Sequence, residues 1–325
     1  MFTAQWLWVG DSVAHTLMRR YVFEDMMIVE RKNKKFEYQF QGIRPYDLPP
    51  LYADIDNSLE WYTDHCGINV SGRFRRYVKN IKSMYRHLGC FSDRMYSSLH
   101  SINELYPLLE VFKYYQKYKD KEFFEIVKTS LKGQPFRQII LDYDDKEEKI
   151  EDKARSSLFE LNVAKQFICQ GETVDFENRA DIIIHERNYI AECKRVISKD
   201  LLLERVAEGV KQIEGDQFQY FGDVYIDVTQ LINLSHTVLT IDELRTSFMG
   251  FSTKEEVSEA LSDIVEVELE SFIKDYIYKI NEIANRYAEK TQNIYFMYNF
   301  VGLHLCAAQQ AAVLGQAKVL VWHQT

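Results

Sequence analysis

The chain reads as a mixed α/β protein of the α+β kind, with a mainly helical N-terminal region over residues 1–145 and a second domain over 146–325. Three observations predict this. All five prolines fall before residue 136, and helical periodicity runs through several segments between 58 and 132. A dense charge run, DYDDKEEKIEDK at 142–153, separates that region from the C-terminal half. In that half, short apolar runs and amphipathic segments succeed one another in the order α-β-β-β-α-β. With 325 residues, 46% of them apolar and 14% aromatic, the chain can bury a sizeable core, so disorder is excluded as its main state.

In chain order, YVFEDMMIVERKNKKFEYQF predicts a hairpin turning at Lys32–Asn33, and RPYDLPP at 44–50 an extended connector. RSSLFELNVAKQFICQG predicts a helix, because Leu161, Ala164 and Ile168, with Val163 and Phe167, recur three and four apart before Gly171 stops it. TVDFEN is a short strand, and ADIIIHE and YIAECKR are two more around Arg187–Asn188. DLLLERVAEGVKQIEG is a helix opened by Asp200 and closed by Gly215, and GDVYIDVTQLIN contains a strand. Residues 253–290 read as one or two long helices, with Thr253 and Glu256 in capping-box spacing, and NIYFMYNF as a further strand.

Several classes of function are disfavoured. A net charge of −9 argues against indiscriminate coating of nucleic acid, though an acidic body can carry a local basic groove. The five cysteines are odd in number and have no metal-ligand spacing, which points to free thiols in a reducing compartment rather than a disulfide framework or a structural zinc site. No stretch approaches about 18 uninterrupted apolar residues, and the N-terminal apolar patch lacks a basic leader and is cut by Asp11. The expectation is a cytoplasmic protein with no membrane partner.

The stretch RADIIIHERNYIAECKR, residues 179–195, is apolar enough for core yet carries Asp181, Glu192 and Lys194. With Arg187–Asn188 as a two-residue turn, Asp181 lies opposite Lys194, and Ile183 lies opposite Glu192. Opposite residues, and residues two apart on one strand, share a face. The three charged groups then converge within about 5–8 Å, while Ile182, Ile184, Ala191 and Cys193 face the other way into core. Two carboxylates held that close repel unless a cation lies between them. A hard divalent ion such as Mg²⁺ (or Mn²⁺) meets that need, and a lysine beside it can position a water: equipment for metal-assisted phosphodiester hydrolysis. The plainer alternative is a cross-strand ion pair between Asp181 and Lys194 with Glu192 solvated on an open face.

Asp181 followed by Glu192-Cys193-Lys194 on the next strand, within an αβββαβ order, resembles the PD-(D/E)xK nuclease superfamily over about residues 154–230. The resemblance implies a restriction-endonuclease-like core, here with a helical N-terminal region and a C-terminal helical extension. Ala180 stands where the motif's name has proline. The resemblance also implies roles: Asp181, Glu192 and the Cys193 carbonyl hold Mg²⁺, and Lys194 orients or deprotonates the attacking water. Glu160 on the preceding helix joins the metal site, although Ser157 and Glu160 also have the spacing of a capping box. Gln212 on the following helix is a further candidate, but the RecB-like Q-x-x-x-Y pattern is broken by Asp216. His185 shares the strand face of Asp181 and reads as structural or rim-lining. The products implied carry 5′-phosphate and 3′-hydroxyl ends. DNA is the expected substrate, in a setting such as bacterial antiviral defence. A catalytically silent scaffold subunit and an RNA-directed toxin nuclease are the alternatives, and a homodimer or a partner protein is compatible with the long helices.

In SGRFRRYVKNIKSMYRHLG at 71–89, Arg75, Lys79, Lys82 and Arg86 form one helical stripe opposite Phe74, Val78, Ile81, Tyr85 and Leu88. No Asp or Glu occurs between His65 and Ser92. The stripe is a candidate nucleic-acid surface, the alternative being a solvated face paired with acids elsewhere. Replacing any one of the four by alanine should flatten the slope of log binding constant against log salt by about one. Anisotropy titrations of labelled DNA at several salt concentrations measure this, and an unchanged slope removes that residue from the interface.

Overall fold

The structure is a computed structural model that describes residues 23–31, 34–43, 48–70, 72–84, 93–119, 121–132, 153–177, 179–232, 238–241, 254–306 and 309–324. The chain begins with the strands β1 (Phe23–Arg31) and β2 (Lys34–Ile43). Four helices come after them: α1 (Leu48–Glu60), α2 (Arg73–Met84), α3 (Asp93–Tyr114) and α4 (Lys121–Lys132). Next are α5 (Lys153–Cys169), β3 (Asp175–Glu177), β4 (Ala180–Ile184), β5 (Tyr189–Arg195), α6 (Leu202–Glu214) and β6 (Phe221–Asp227). The chain closes with β7 (Val238–Ile241), α7 (Lys254–Tyr287), β8 (Thr291–Cys306) and β9 (Gln309–His323). The α-β-β-β-α-β order expected from residue 154 onward is therefore present as α5 to β6.

Among the described residues one mixed sheet has the order β1-β2-β9-β8-β6-β5-β4-β3, with β7 alongside β8. β5, β6 and β8 run parallel, and β3, β4 and β5 antiparallel. Parallel neighbours need a crossover, which α6 supplies between β5 and β6. Two corrections concern the ends of the chain. The first two strands are not confined to an N-terminal unit, because β2 pairs with β9. The C-terminal extension is not purely helical: after the single long helix α7, two long strands enter the middle of the sheet. The expected hairpin turn at Lys32–Asn33 and the capping residue Thr253 lie outside the described residues.

Each sheet face carries its own core. One unites helices α1–α4 with α5 and with Ile182, Ile184, Ala191 and Cys193. The other packs α6 and α7 on Ile183, Ile190, Val224, Ile226 and Phe296. The boundary drawn near residue 145 falls outside the described residues, and the helices before it share a core with the strands after it. Tyr115 Oη donates to the Leu161 carbonyl at 2.8 Å, and Lys165 meets Glu110 at 2.9 Å in the same buried seam. Both strands of the central hairpin are thus covered on two sides, which explains their near-continuous apolar run.

Gly171, at φ +88°, ends α5 as expected. Asp200, by contrast, does not cap its helix. It lies in a short 3₁₀ turn over Lys199–Leu201, and Ser198 Oγ accepts from the Asp200 N–H.

Two glycines set how closely α6 and β6 approach their neighbours. A Cβ at Gly209 would lie 2.7 Å from Val224 Cγ1, and one at Gly222 would lie 2.3 Å from the Ile190 carbonyl oxygen. Gly209→Val should therefore cost about 1–3 kcal/mol through overpacking, and Gly222→Ala should destabilise as well. Urea unfolding midpoints measure both, with an unchanged midpoint contradicting the packing described.

Candidate functional site

The central hairpin turns differently from the expectation. His185–Arg187 form a 3₁₀ turn closed by Asn188 in the left-handed region at φ 50°. The pairs are Ile182↔Ala191, Ile183↔Ile190 and Ile184↔Tyr189. The two-residue turn at Arg187–Asn188 is thus corrected to a four-residue one, and Ile183 opposes Ile190 rather than Glu192. The shift is two residues along β5, an even number, so every side chain keeps its face. Asp181, Glu192 and Lys194 still share one.

They also meet. The β4–β5 ladder ends at Ile182↔Ala191, and beyond it the Asp181 side chain takes over the role of the backbone. Asp181 Oδ2 accepts the Cys193 N–H at 2.7 Å and lies 3.3 Å from Lys194 Nζ. Lys194 Nζ donates to Glu192 Oε2 at 2.7 Å. Glu192 is only 1% exposed and Lys194 is buried, whereas Asp181 keeps about a quarter of its side chain open at 26%. The solvated Glu192 of the plain ion-pair alternative is not what is found.

Glu160 lies on α5, in the layer on the other sheet face, where Leu161, Val163, Ala164 and Phe167 are buried beside it. Ser157 lies inside α5, more than a turn from its start, so Ser157 and Glu160 do not form a capping box. The Glu160 carboxyl is pushed up to about 8 by burial and by Asp181 and Glu192, against the pull of Lys194 and Lys153. Burial and Asp181 push Glu192 up to about 7, with Lys194 opposing. Burial works against the Lys194 charge, but Asp181 and Glu192 outweigh it and hold the ammonium above its ordinary range. Two carboxyl groups thus contact Lys194, and a third, on Glu160, is close enough to feel all three charges. Unit charges about 4 Å apart at an effective dielectric near 20 interact by about 4 kcal/mol, so the acids resist full ionisation together.

These groups fit a hard cation in donor chemistry: carboxylate oxygens from Asp181, Glu192 and Glu160, and the Cys193 carbonyl. Among the described residues no group of three or more His, Cys, Asp or Glu side chains is placed to hold a metal as it stands. Mg²⁺ needs only one or two carboxylates when water and substrate phosphate complete its shell. The Cys193 side chain turns into the core on the α5 side, where burial pushes its thiol well above the ordinary range, leaving its backbone as the only usable donor.

Other expected positions fall elsewhere. Gln212 is exposed near the end of α6. That end is tied by Glu214 to Thr291, level with Gly222 and Ile190 at the start of the parallel strands, four residues from Lys194. Gln212 is therefore not brought to the site, because an α-helix crossing back between parallel strands carries its C-terminus away from their C-terminal ends. His185 is in the turn rather than on the strand. Its Nε2 lies 3.2 Å from Glu177 and 3.4 Å from Asp175, with Nδ1 3.3 Å from Tyr220 Oη.

On α2, Arg75, Lys79 and Lys82 are exposed opposite the buried Phe74 and Ile81, and Arg86 lies outside the described residues. Lys82 pairs with Asp56 at 3.1 Å on the surface, a weak tie. The buried edge of α2 reaches the helix of Glu160: Arg155 donates to Tyr77 Oη at 3.4 Å and to Glu104 at 3.1 Å. Sequence reasoning missed Lys153 as a counter-charge to Glu160, and Arg76, exposed beside Arg75. The adjacency of Arg76 to the stripe was a readable signal; nothing in the sequence linked Lys153 to Glu160.

The chain matches no protein-family model, no curated protein and no solved structure. Among the described residues no helix is long and apolar enough to cross a membrane.

Glu160 and Glu192 both have folded pKa values above the ordinary 4.5. Between that value and about 8 the folded chain keeps protons that the unfolded chain releases, so these two groups withdraw stability as pH rises through the window. The melting temperature should fall over that range, Glu160→Gln should flatten the fall, and Mg²⁺ should reverse it most strongly at the alkaline end. Thermal melts at stepped pH with and without Mg²⁺ measure this.

Proposed function

We propose that the protein is a metal-dependent nuclease hydrolysing phosphodiester bonds, with DNA as the favoured substrate, on a core of the PD-(D/E)xK, restriction-endonuclease-like kind. One observation carries the reading: Asp181, Glu192 and Lys194 gather where β4 and β5 part, with Glu160 close enough to raise the local negative charge. A purely structural ion pair needs one acid per lysine, and the additional buried carboxyl groups would then only destabilise.

Asp181, Glu192 and the Cys193 carbonyl, helped by Glu160, would hold Mg²⁺ or Mn²⁺. When bound, the ion supplies Lewis-acid stabilisation of the phosphoryl oxygens and activation of a water. The chain's own groups do the rest. Lys194, held protonated between two acids, orients that water and stabilises charge developing on the phosphate as a hydrogen-bond donor, not as a base. The exposed basic face of α2 supports a path for the nucleic-acid backbone.

A second reading, a catalytically silent nuclease-like scaffold, is favoured by the burial of Glu192 and Lys194 in a self-satisfied hydrogen-bonded cluster. A panel of duplex DNA, single-stranded DNA and RNA, each with Mg²⁺, Mn²⁺ or EDTA, separates the two. Cleavage should require the metal and fall at least about a hundredfold in Lys194→Ala and in Glu192→Ala. Cleavage that survives both substitutions belongs to another site or a contaminant. No cleavage of any substrate leaves the scaffold reading.

A further inference from the structure

At the turn end of the hairpin, the end of β5 opposite to Lys194, three donor groups converge. Asp175 and Glu177 stand two residues apart on β3, an edge strand of the sheet, and His185 opens the turn that follows β4. His185 Nε2 lies 3.4 Å from Asp175 Oδ2 and 3.2 Å from Glu177 Oε1. Both separations exceed the roughly 2.7–2.9 Å of a charge-assisted N–H···O bond, and one nitrogen carries at most one proton for the two acids. They match the edge, about 3.3 Å, of a tetrahedron of ligands held about 2.0–2.2 Å from a zinc ion.

The surroundings hold these donors in place. Glu177 Oε2 accepts from Arg179 Nε at 2.9 Å, while Oε1 meets the imidazole. Arg179 is itself fixed by Asp216 at 2.6 Å and by the rings of Phe218 and Tyr220, whose centroids lie 4.4 and 4.8 Å from its guanidinium. The other imidazole nitrogen, Nδ1, lies 3.3 Å from Tyr220 Oη, and the Tyr220 N–H donates to Asp216 Oδ2 at 3.1 Å. With Nδ1 donating to that hydroxyl, Nε2 turns a lone pair toward two carboxylates, an arrangement that repels until a cation lies between them. Three carboxylates, on Asp175, Glu177 and Asp216, face the Arg179 guanidinium here, an excess of negative charge that disfavours phosphate and draws a metal ion. As they stand the three donors are not closed on one point. All three side chains are half-exposed, so rotation about their own bonds closes the triangle at little cost.

We propose that His185, Asp175 and Glu177 bind a Zn²⁺ ion, with water in the fourth position, and that the ion pins the edge strand β3 to the hairpin turn. Imidazole nitrogen selects zinc over Mg²⁺. The site is separate from the one around Lys194 and does not depend on the nuclease reading.

The test uses the full chain carrying Asp181→Asn and Glu192→Gln, which disables the other carboxylate site, in excess Mg²⁺, with Co²⁺ as a spectroscopic probe. One equivalent of Co²⁺ should give the visible bands of a four-coordinate ion without a sulfur-to-cobalt band, and Zn²⁺ should displace it. His185→Gln and Asp175→Asn should each abolish the bands, and Tyr220→Phe should weaken binding about tenfold. Zn²⁺ should raise the melting temperature of the parent and leave that of His185→Gln unchanged. Absence of the bands in the parent overturns the site, as does Co²⁺ binding of equal affinity in His185→Gln. The wild-type chain, titrated in the same excess of Mg²⁺, gives the same reading should the double variant fail to fold. Cleavage assays are decided at Lys194 and Glu192, so either proposal can fail while the other stands.

Discussion

The hydrogen bond from the Cys193 N–H to the Asp181 carboxylate is the contact on which the candidate site turns. An antiparallel ladder that continued past Ile182↔Ala191 would pair this N–H with a backbone carbonyl. A carboxylate takes that place instead. The substitution satisfies a buried donor, which would otherwise cost about 1–3 kcal/mol, and it anchors an acid at the point where two strands separate. Lys194 lies on the same strand face as Glu192, so a single ammonium is shared by both acids. The opening is a consequence of how the sheet satisfies its own donors and acceptors.

Around that opening the two layers have different tasks. On one face α6 and α7 seal Ile183 and Ile190, and the close approach of α6 depends on the absence of a side chain at Gly209. On the other, α5 brings Glu160 and is itself braced by the N-terminal helices through Lys165–Glu110 and Arg155–Glu104. These ion pairs are largely buried, and each has further hydrogen bonding: Glu110 accepts from Tyr106, and Arg155 donates to Tyr77. That is the condition under which buried charges are tolerated. The helical region is therefore part of the frame that holds one acid of the site.

Legibility in the sequence varies with the range of the interaction. Helix α5, its stop at Gly171, and strands β3 to β6 are set by periodicity and punctuation over a few residues. The turn at 185–188 is hard to place from sequence because no Gly marks the left-handed position, which Asn188 adopts instead. The convergence of Asp181, Glu192 and Lys194 is insensitive to that misplacement, since a register change of two preserves the side-chain alternation. Gln212 enters only by its place in a motif, and a motif says nothing about the direction in which α6 runs back along the sheet. The setting of the Phe218 ring is illegible in the sequence: Arg179, Asp216 and Phe218 come together from two separate turns.

By itself the sequence determined the α-β-β-β-α-β order, the apolar faces of the hairpin, and the fact that three charged residues share one side of it. Those properties depend on alternation and helical pitch, which act between residues a few positions apart. Only the tertiary structure decided that β2 joins β9, that the N-terminal helices and α5 enclose a single core, and that Glu160 feels Asp181 across the sheet. Such outcomes depend on which apolar surfaces find one another over long chain separations, and burial is indifferent to sequence distance.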